Sequence, residues 1–198
     1  MTSSESKVAI VTGSTQGLGE AIARELIAEK LVGGLVICGR REVEGRKLAD
    51  EFAGLGCRTE FVQADLGNVD DCRRVIASAG RAFGRVDYLV NSAATSERGS
   101  ILDTSPELFD RIFALNVRAP FFLMQEALRL MIEQQIAGSI VNIITMSSHG
   151  GQPYLTPFGR LLKPAEVARA VSFLLSERSG MMTGSIIDFD QNVVGTSD

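Results

Sequence analysis

Thr12-Gly13-Ser14-Thr15-Gln16-Gly17-Leu18-Gly19 is the stretch that decides the fold. It directly follows an apolar run, Val8 to Val11, and opens into Ala21-Ile22-Ala23-Arg24-Glu25-Leu26, which has the spacing of a half-buried helix. Strand, glycine-rich turn and helix, in that order, form the setting of a phosphate-binding turn. Gly13 permits the tight turn, Gly17 lets the backbone approach a pyrophosphate, and Gly19 lets the helix pack closely on the strand. The free N–H groups at the helix start face the anion, and the helix dipole favours its charge. Gly13, Ser14, Gln16, Gly17, Leu18 and Gly19 are therefore the first candidate cofactor residues.

Outward from this turn, strand-like and helical patterns alternate. Strands are expected at Val8–Thr12, Leu35–Cys38, Arg58–Gln63, Tyr88–Val90, Ser139–Ile144 and Ser185–Phe189. Several are apolar throughout, as in a parallel sheet covered by helices on both faces. Helices are expected near 17–30, 42–54, 69–83, 107–134 and 165–176. Asn68 precedes an acidic first turn and Gly84 closes that helix, while Thr104-Ser105-Pro106-Glu107 has the spacing of a capping box. The fold class is α/β, a single domain built on a doubly wound parallel sheet.

Composition sets wider bounds. The chain has 198 residues and a net charge of −4, which argues against a general nucleic-acid surface. Cys38, Cys57 and Cys72 lack metal or redox spacing and read as buried small hydrophobes in a reducing compartment. No metal site is expected: the only histidine, His149, lies between Ser148 and two glycines and has no partner spacing. The polar start, Met1 to Lys7, lacks the apolar core of a signal peptide, and no run reaches the length of a membrane span. A cytoplasmic protein without a membrane or nucleic-acid partner is the expectation.

The T-G-x-x-x-G-x-G spacing at 12–19 differs from the G-x-G-x-x-G pattern and resembles that of the short-chain dehydrogenase/reductase family. Asp87-Tyr88-Leu89-Val90-Asn91-Ser92-Ala93-Ala94 is similar to its D-x-L-V-N-N-A-G, with Ser and Ala at the second Asn and the Gly. Leu115-Asn116-Val117 resembles its catalytic-asparagine segment. Gly159-Arg160 with Pro164-Ala165-Glu166-Val167-Ala168, and Met182-Thr183-Gly184 through Asp188, are similar to its late motifs. The resemblance implies a Rossmann-type sheet, a nicotinamide cofactor, and hydride transfer to or from a small alcohol or carbonyl substrate. It also implies self-association as a homodimer or homotetramer, with Val117, Phe121, Leu128 and Ile132 as candidate apolar surface.

One motif is missing, the family's Y-x-x-x-K. Only residues 145–165 fill a stretch where the family has a catalytic helix, a strand and a substrate lid, so a βα unit on the order of 30 residues is absent. The text changes character between Thr156 and Pro157, and the simplest reading is a segment dropped at that junction. An outsized Cα separation between Tyr154 and Gly159 is then expected, and a true deletion is the alternative. Tyr154 has Phe158 rather than lysine one helical turn later, with prolines on both sides, so it is read as a loop aromatic.

The resemblance carries roles to the residues that remain. Thr145 stands where the family's catalytic serine does, its hydroxyl able to polarise a carbonyl oxygen, with Ser147 and Ser148 as runners-up; the end of strand five is the plainer role. Asn116 matches the asparagine that holds a relay water. Pro120, four residues later, has no N–H for the Asn116 carbonyl, so an irregularity is expected in that helix, and a simple proline kink is the alternative. Asp65 and Leu66 match the adenine contact, while Asn91 and Ala93 would line the cofactor, Asn91 alternatively bracing the central strands.

Cofactor choice follows from position. NAD-dependent turns place an acid about 20 residues past the glycines, on the ribose. Here Gly39 is followed by Arg40 and Arg41, which suit a ribose phosphate, so NADP is expected rather than NAD. Gln16 stands where many NADP-preferring relatives carry a second basic residue. Two function classes remain: an NADP-dependent oxidoreductase whose catalytic Tyr and Lys lie in the missing segment, and a non-catalytic dinucleotide-binding protein of the same fold.

Overall fold

A computed structural model of the chain describes residues 7–144, 162–187 and 189. Five strands form one sheet in the order β3-β2-β1-β4-β5, with β1 at Val8–Val11, β2 at Gly34–Gly39, β3 at Arg58–Gln63, β4 at Tyr88–Asn91 and β5 at Ser139–Asn142. Every pairing is parallel; Val8 lies opposite Gly34 and Val11 opposite Ile37, while Tyr88 faces Ser139 and Asn91 faces Asn142. The strand order reverses between β1 and β4, and in an open α/β sheet the crevice at the carboxyl ends of such strands is where ligands bind.

Helices cover both faces. On one side lie α1 (Gly17–Ala28), α2 (Glu42–Gly54) and α6 (Pro164–Leu175); on the other lie α3 (Val69–Phe83) and α5 (Ala119–Glu133). The period of two along each strand splits the core accordingly. Ala9, Val11, Leu35, Ile37 and Val90 join Ile22, Leu26, Phe52 and Val171 on the first face. Ile10, Val36, Cys38 and Leu89 join Val75, Ile76, Leu123 and Met131 on the second. Each fully buried Ile, Leu or Phe stabilises the fold by about 1.5–3 kcal/mol.

Helix ends follow local chemistry. Asn68 Oδ1 accepts the Asp70 N–H at 2.8 Å, and Gly84 ends α3 in the left-handed conformation at φ 73°. At the start of α4 (Pro106–Phe113), Ser105 is the cap, accepting from Leu108 N–H at 3.2 Å, whereas the capping-box spacing pointed to Thr104. Proline sits best at the first helical position, which places the cap on the residue before it; the Thr104 hydroxyl donates instead to the Ser100 carbonyl.

The expected irregularity around Asn116 is a π turn, Ala114–Arg118, between α4 and α5. Its closing bond runs from Ala119 N–H to the Ala114 carbonyl, one residue longer than the α pattern. Pro120 cannot donate, and the extra residue lets the chain pass it without breaking the rod.

The sixth strand expected at Ser185–Phe189 is not formed by its described residues. Residues 185–187 are exposed coil, with Ile186 83% exposed. An apolar run becomes a strand only against an edge that pairs with it, and among the described residues β5 pairs on one side only, with β4.

Candidate functional site

The glycine turn lies at the carboxyl end of β1 with the geometry its composition dictates. Gly13 and Gly17 adopt φ of 62° and 61°, left-handed values that cost other residues strain. A Cβ on Gly13 would lie 2.8 Å from Ala93 Cα, and one on Gly19 would lie 2.6 Å from the Gly13 carbonyl oxygen. A Cβ on Gly17 would meet nothing within 4 Å, leaving open space in front of the first turn of α1. The cradle therefore fits a pyrophosphate: it is closed toward the protein and open at the helix N-terminus.

Thr12 ties this turn to the end of β4. Its Oγ1 accepts the N–H groups of Ser92 and Ala93 at 3.0 and 3.1 Å, and its own N–H donates to the Val90 carbonyl at 3.0 Å. Reading glycines alone passes over Thr12, although it opens the same motif. Ser14, expected to face the cofactor, turns inward and is 0% exposed. Its hydroxyl donates to the Val11 carbonyl at 2.6 Å and accepts the Cys38 N–H at 3.2 Å, bracing the turn against β2. A short hydroxyl between two strand ends satisfies their backbone groups before any ligand can claim it. Leu18 packs against the first core face, so it brings apolar support rather than a polar contact.

Arg40 and Arg41 follow β2. Arg41 donates to Gln16 Oε1 at 2.6 Å and approaches Glu44 at 3.6 Å, which binds the end of β2 to the glycine turn. Arg40 is exposed and lines a cleft of about 710 Å³ that also touches Asp65, Thr95, Glu97, Arg111 and Arg118. Asp65 Oδ1 accepts the Gly67 N–H at 3.0 Å, holding the loop after β3, while the buried Leu66 side chain belongs to the second core. Arg118, from the π turn, donates to the Gly67 carbonyl at 2.7 Å.

The opposite wall is the loop after β4. Asn116 Oδ1 accepts the Thr95 N–H and Asn116 Nδ2 donates to the Thr95 carbonyl, both at 2.9 Å. Glu97 is gripped by Arg111, with Nη2–Oε2 at 2.6 Å and Nε contacts to both oxygens at 3.2 and 3.3 Å. The Arg111 hydrogen bonds hold the Glu97 carboxyl below the usual carboxylate range, aided by the Thr95 hydroxyl and the charge of Arg40. Neither Glu97 nor Arg111 stands out in the sequence, because their pairing joins a loop to a helix face that only the fold brings together.

Asn91 braces the strands, its Nδ2 donating to Asn142 Oδ1 at 2.8 Å. The alternative given for it above is thus the interaction formed, and its buried Oδ1 is left as an acceptor without a protein partner among the described residues. Ala93, beside Gly13, stands at the mouth of the crevice. The catalytic candidates Thr145 and Ser147 lie outside the described residues, as do Ser148, His149, Tyr154, Phe158 and the Thr156–Pro157 junction. Among the described residues no cluster of His, Cys, Asp or Glu could hold a metal ion, and no helix is long and apolar enough to cross a membrane.

Comparison with known proteins agrees with this geometry. L-rhamnose 1-dehydrogenase (NAD(P)(+)) of Azotobacter vinelandii is 36% identical over 159 residues, covering 76% of this chain and 61% of the relative. The 2-dehydro-3-deoxy-D-gluconate 5-dehydrogenase of Escherichia coli is 35% identical over 147 residues, covering 74% and 56%. The chain thus spans about three fifths of the length of these curated relatives. Among solved structures, a 3-ketoacyl-(acyl-carrier-protein) reductase from Brucella melitensis complexed with NADH superposes with a TM-score of 0.83 at 25% identity, covering 94% of this chain and 98% of that one. A metagenomic short-chain oxidoreductase in complex with NADP gives 0.73 at 25% identity, covering 85% and 90%. The family profile described as short chain dehydrogenase matches residues 7–159, and on that match, with the parallel sheet and glycine turn beneath it, the chain belongs to the short-chain dehydrogenase family.

Proposed function

We propose that this chain is an oxidoreductase that exchanges a hydride between NADP(H) and a small alcohol or carbonyl compound. The observation that carries the reading is the glycine cradle at the β1–β4 crevice, open at the start of α1, together with a cleft lined by Arg40 after β2 and Asp65 after β3. Backbone at Gly13, Gln16, Gly17 and Gly19 would hold the pyrophosphate, and Asp65, Leu66 and Ala93 would flank the adenosine half. Arg40 and Arg41 favour NADP over NAD, because a guanidinium fork matches a phosphate and no carboxylate stands at those two positions. When bound, the nicotinamide supplies or accepts the hydride. Relatives and solved neighbours named for NAD(P), NADP and NADH support a nicotinamide cofactor.

The chain's own residues would orient the substrate and move its proton. Thr145, with Ser147 near it in sequence, would polarise the carbonyl oxygen, and Asn116 would anchor the relay. The tyrosine and lysine of the family's chemistry would lie in a segment missing at Thr156–Pro157. The 198 residues weigh 21.3 kDa, and an intact mass well above that value would support the missing segment. A cytoplasmic setting is supported by three free, buried cysteines. Self-association is supported by the exposed apolar stripe of Val117, Phe121, Leu128 and Ile132 along the π turn and α5.

Fluorescence titration with NADPH and NADH tests the reading directly. The wild type should prefer NADPH, and Arg40→Asp should reverse or erase that preference, a loss of roughly tenfold or more for a charge-assisted phosphate contact. An unchanged preference would remove Arg40 from the explanation, and absence of binding by either nucleotide would overturn the oxidoreductase reading.

A further inference from the structure

The cleft at the end of β2 carries an anion of its own. Its charged lining is Arg40, Arg111 and Arg118 against Asp65 and Glu97. Most of these are engaged locally. Arg118 donates to the Gly67 carbonyl, Asp65 accepts from Gly67 N–H, and Arg111 is spent on Glu97. Arg40, exposed like Arg111 and Arg118, is the cation on the opposite wall, and its charge reaches Glu97.

Glu97 is not a wandering surface carboxylate. Three contacts from Arg111 fix its oxygens, the Thr95 hydroxyl donates to Oε1 at 3.3 Å, and the Thr95 main chain is itself clasped by Asn116. The carboxylate is therefore held at the cleft by the fold, and Arg111 cannot turn away from it without losing a charge-assisted pair.

We propose that Glu97 is a specificity-determining residue, a fixed carboxylate in the adenosine cleft that weakens the hold on a ribose phosphate and brings NAD(H) within reach beside NADP(H). The inference rests on the reading above, that this cleft receives the adenosine half of the cofactor. A ribose phosphate brings nearly two negative charges at neutral pH, whereas a free ribose hydroxyl brings none. Glu97 repels the phosphate, shares the field of Arg40 with it, and neutralises Arg111, which would otherwise add its full charge to that of Arg40. All three effects oppose the phosphate and leave the hydroxyl form untouched.

Calorimetric titration with 2′,5′-ADP and 5′-AMP isolates the effect, because the two differ only in the ribose phosphate and need no catalysis. Glu97→Gln should tighten 2′,5′-ADP roughly three- to tenfold, as removal of one charge at intermediate dielectric implies, and move 5′-AMP by less than about twofold. The gain should shrink at about 0.5 M salt, where screening is strong. Glu97→Asp, which keeps the charge and shortens the reach, should retain the wild-type ratio. Glu97 is half exposed and lies outside both cores, so these variants keep the fold. An unchanged ratio in Glu97→Gln, or equal change for both nucleotides, would overturn the proposal. Arg40→Met separates it from the parent reading: if that variant loses the 2′,5′-ADP preference while Glu97→Gln does nothing, the cofactor reading stands and the Glu97 role falls. If the wild type binds neither nucleotide, both fall.

Discussion

The side-chain amide of Asn116 closes on the main chain of Thr95 from both ends, accepting its N–H and donating to its carbonyl at 2.9 Å each. The π turn and the loop after β4 are thereby joined by the two polar groups a strand would otherwise satisfy. Asn116→Leu strands both and should lower stability by about 1–3 kcal/mol. Urea unfolding measures that loss, and limited proteolysis of residues 95–104 should accelerate in parallel. A variant with the wild-type midpoint and cleavage rate would show that the clasp contributes nothing.

Two glycines of the cradle should fail in different ways. Gly13→Ala drives a methyl to 2.8 Å from Ala93 Cα at a left-handed φ, so it should cost roughly 2–5 kcal/mol of stability. Gly17→Ala meets no protein atom within 4 Å and should cost only about 1 kcal/mol in strain, yet its methyl enters the open face of the cradle. Thermal unfolding should single out Gly13, while NADPH titration should find binding lost in both. Retained binding in Gly17→Ala would move the pyrophosphate elsewhere.

Alkaline pH should unfold the protein through its thiols. Burial pushes Cys38 up to about 12 and Cys72 to about 11, and raises Cys57, from an ordinary 9.0. Above pH 9 the unfolded chain releases these protons while the folded chain keeps them, so stability is full below that pH and falls as pH rises toward 11–12. Each thiol contributes a slope of up to about 1.4 kcal/mol per pH unit. Denaturant midpoints between pH 8 and 11 should show the fall, and Cys38→Ala should flatten it. An equal slope in that variant would assign the effect to other groups.

The exposed stripe on α5 should mediate self-association. Ile132 is 74% exposed, and Phe121 and Val117 lie on the same stretch of surface. Sedimentation at micromolar concentration should show a dimer or tetramer, and Phe121→Asp with Ile132→Asp should return it to monomer. A monomeric wild type would count against this interface.

Most of the fold was legible because the apolar runs of the strands, the amphipathic spacing of the helices and the Asn68 and Gly84 signals of α3 are written locally. The irregularity near Asn116 could be foreseen for the same reason, since Pro120 lacks its donor whatever surrounds it. The sixth strand could not, because Ser185–Phe189 needs a neighbouring edge that its own residues do not specify. The inward turn of the Ser14 hydroxyl is not legible in its motif position, because it is decided by the ends of β1 and β2. Glu97 and Arg111 are ordinary surface residues until the loop after β4 folds back on α4.

The approach of Gly13 to residue 93 bears on how this sequence can vary. The atom a side chain at 13 would strike first is the Cα of Ala93, at 2.8 Å, with its Cβ and N both at 3.1 Å. Cα and N belong to every amino acid, so even glycine at 93 leaves the shortest contact in place. A second-site change there cannot rescue the first, and the two positions cannot drift together by compensation. Gly13 is dictated by the path of the main chain, not by the identity of its neighbour.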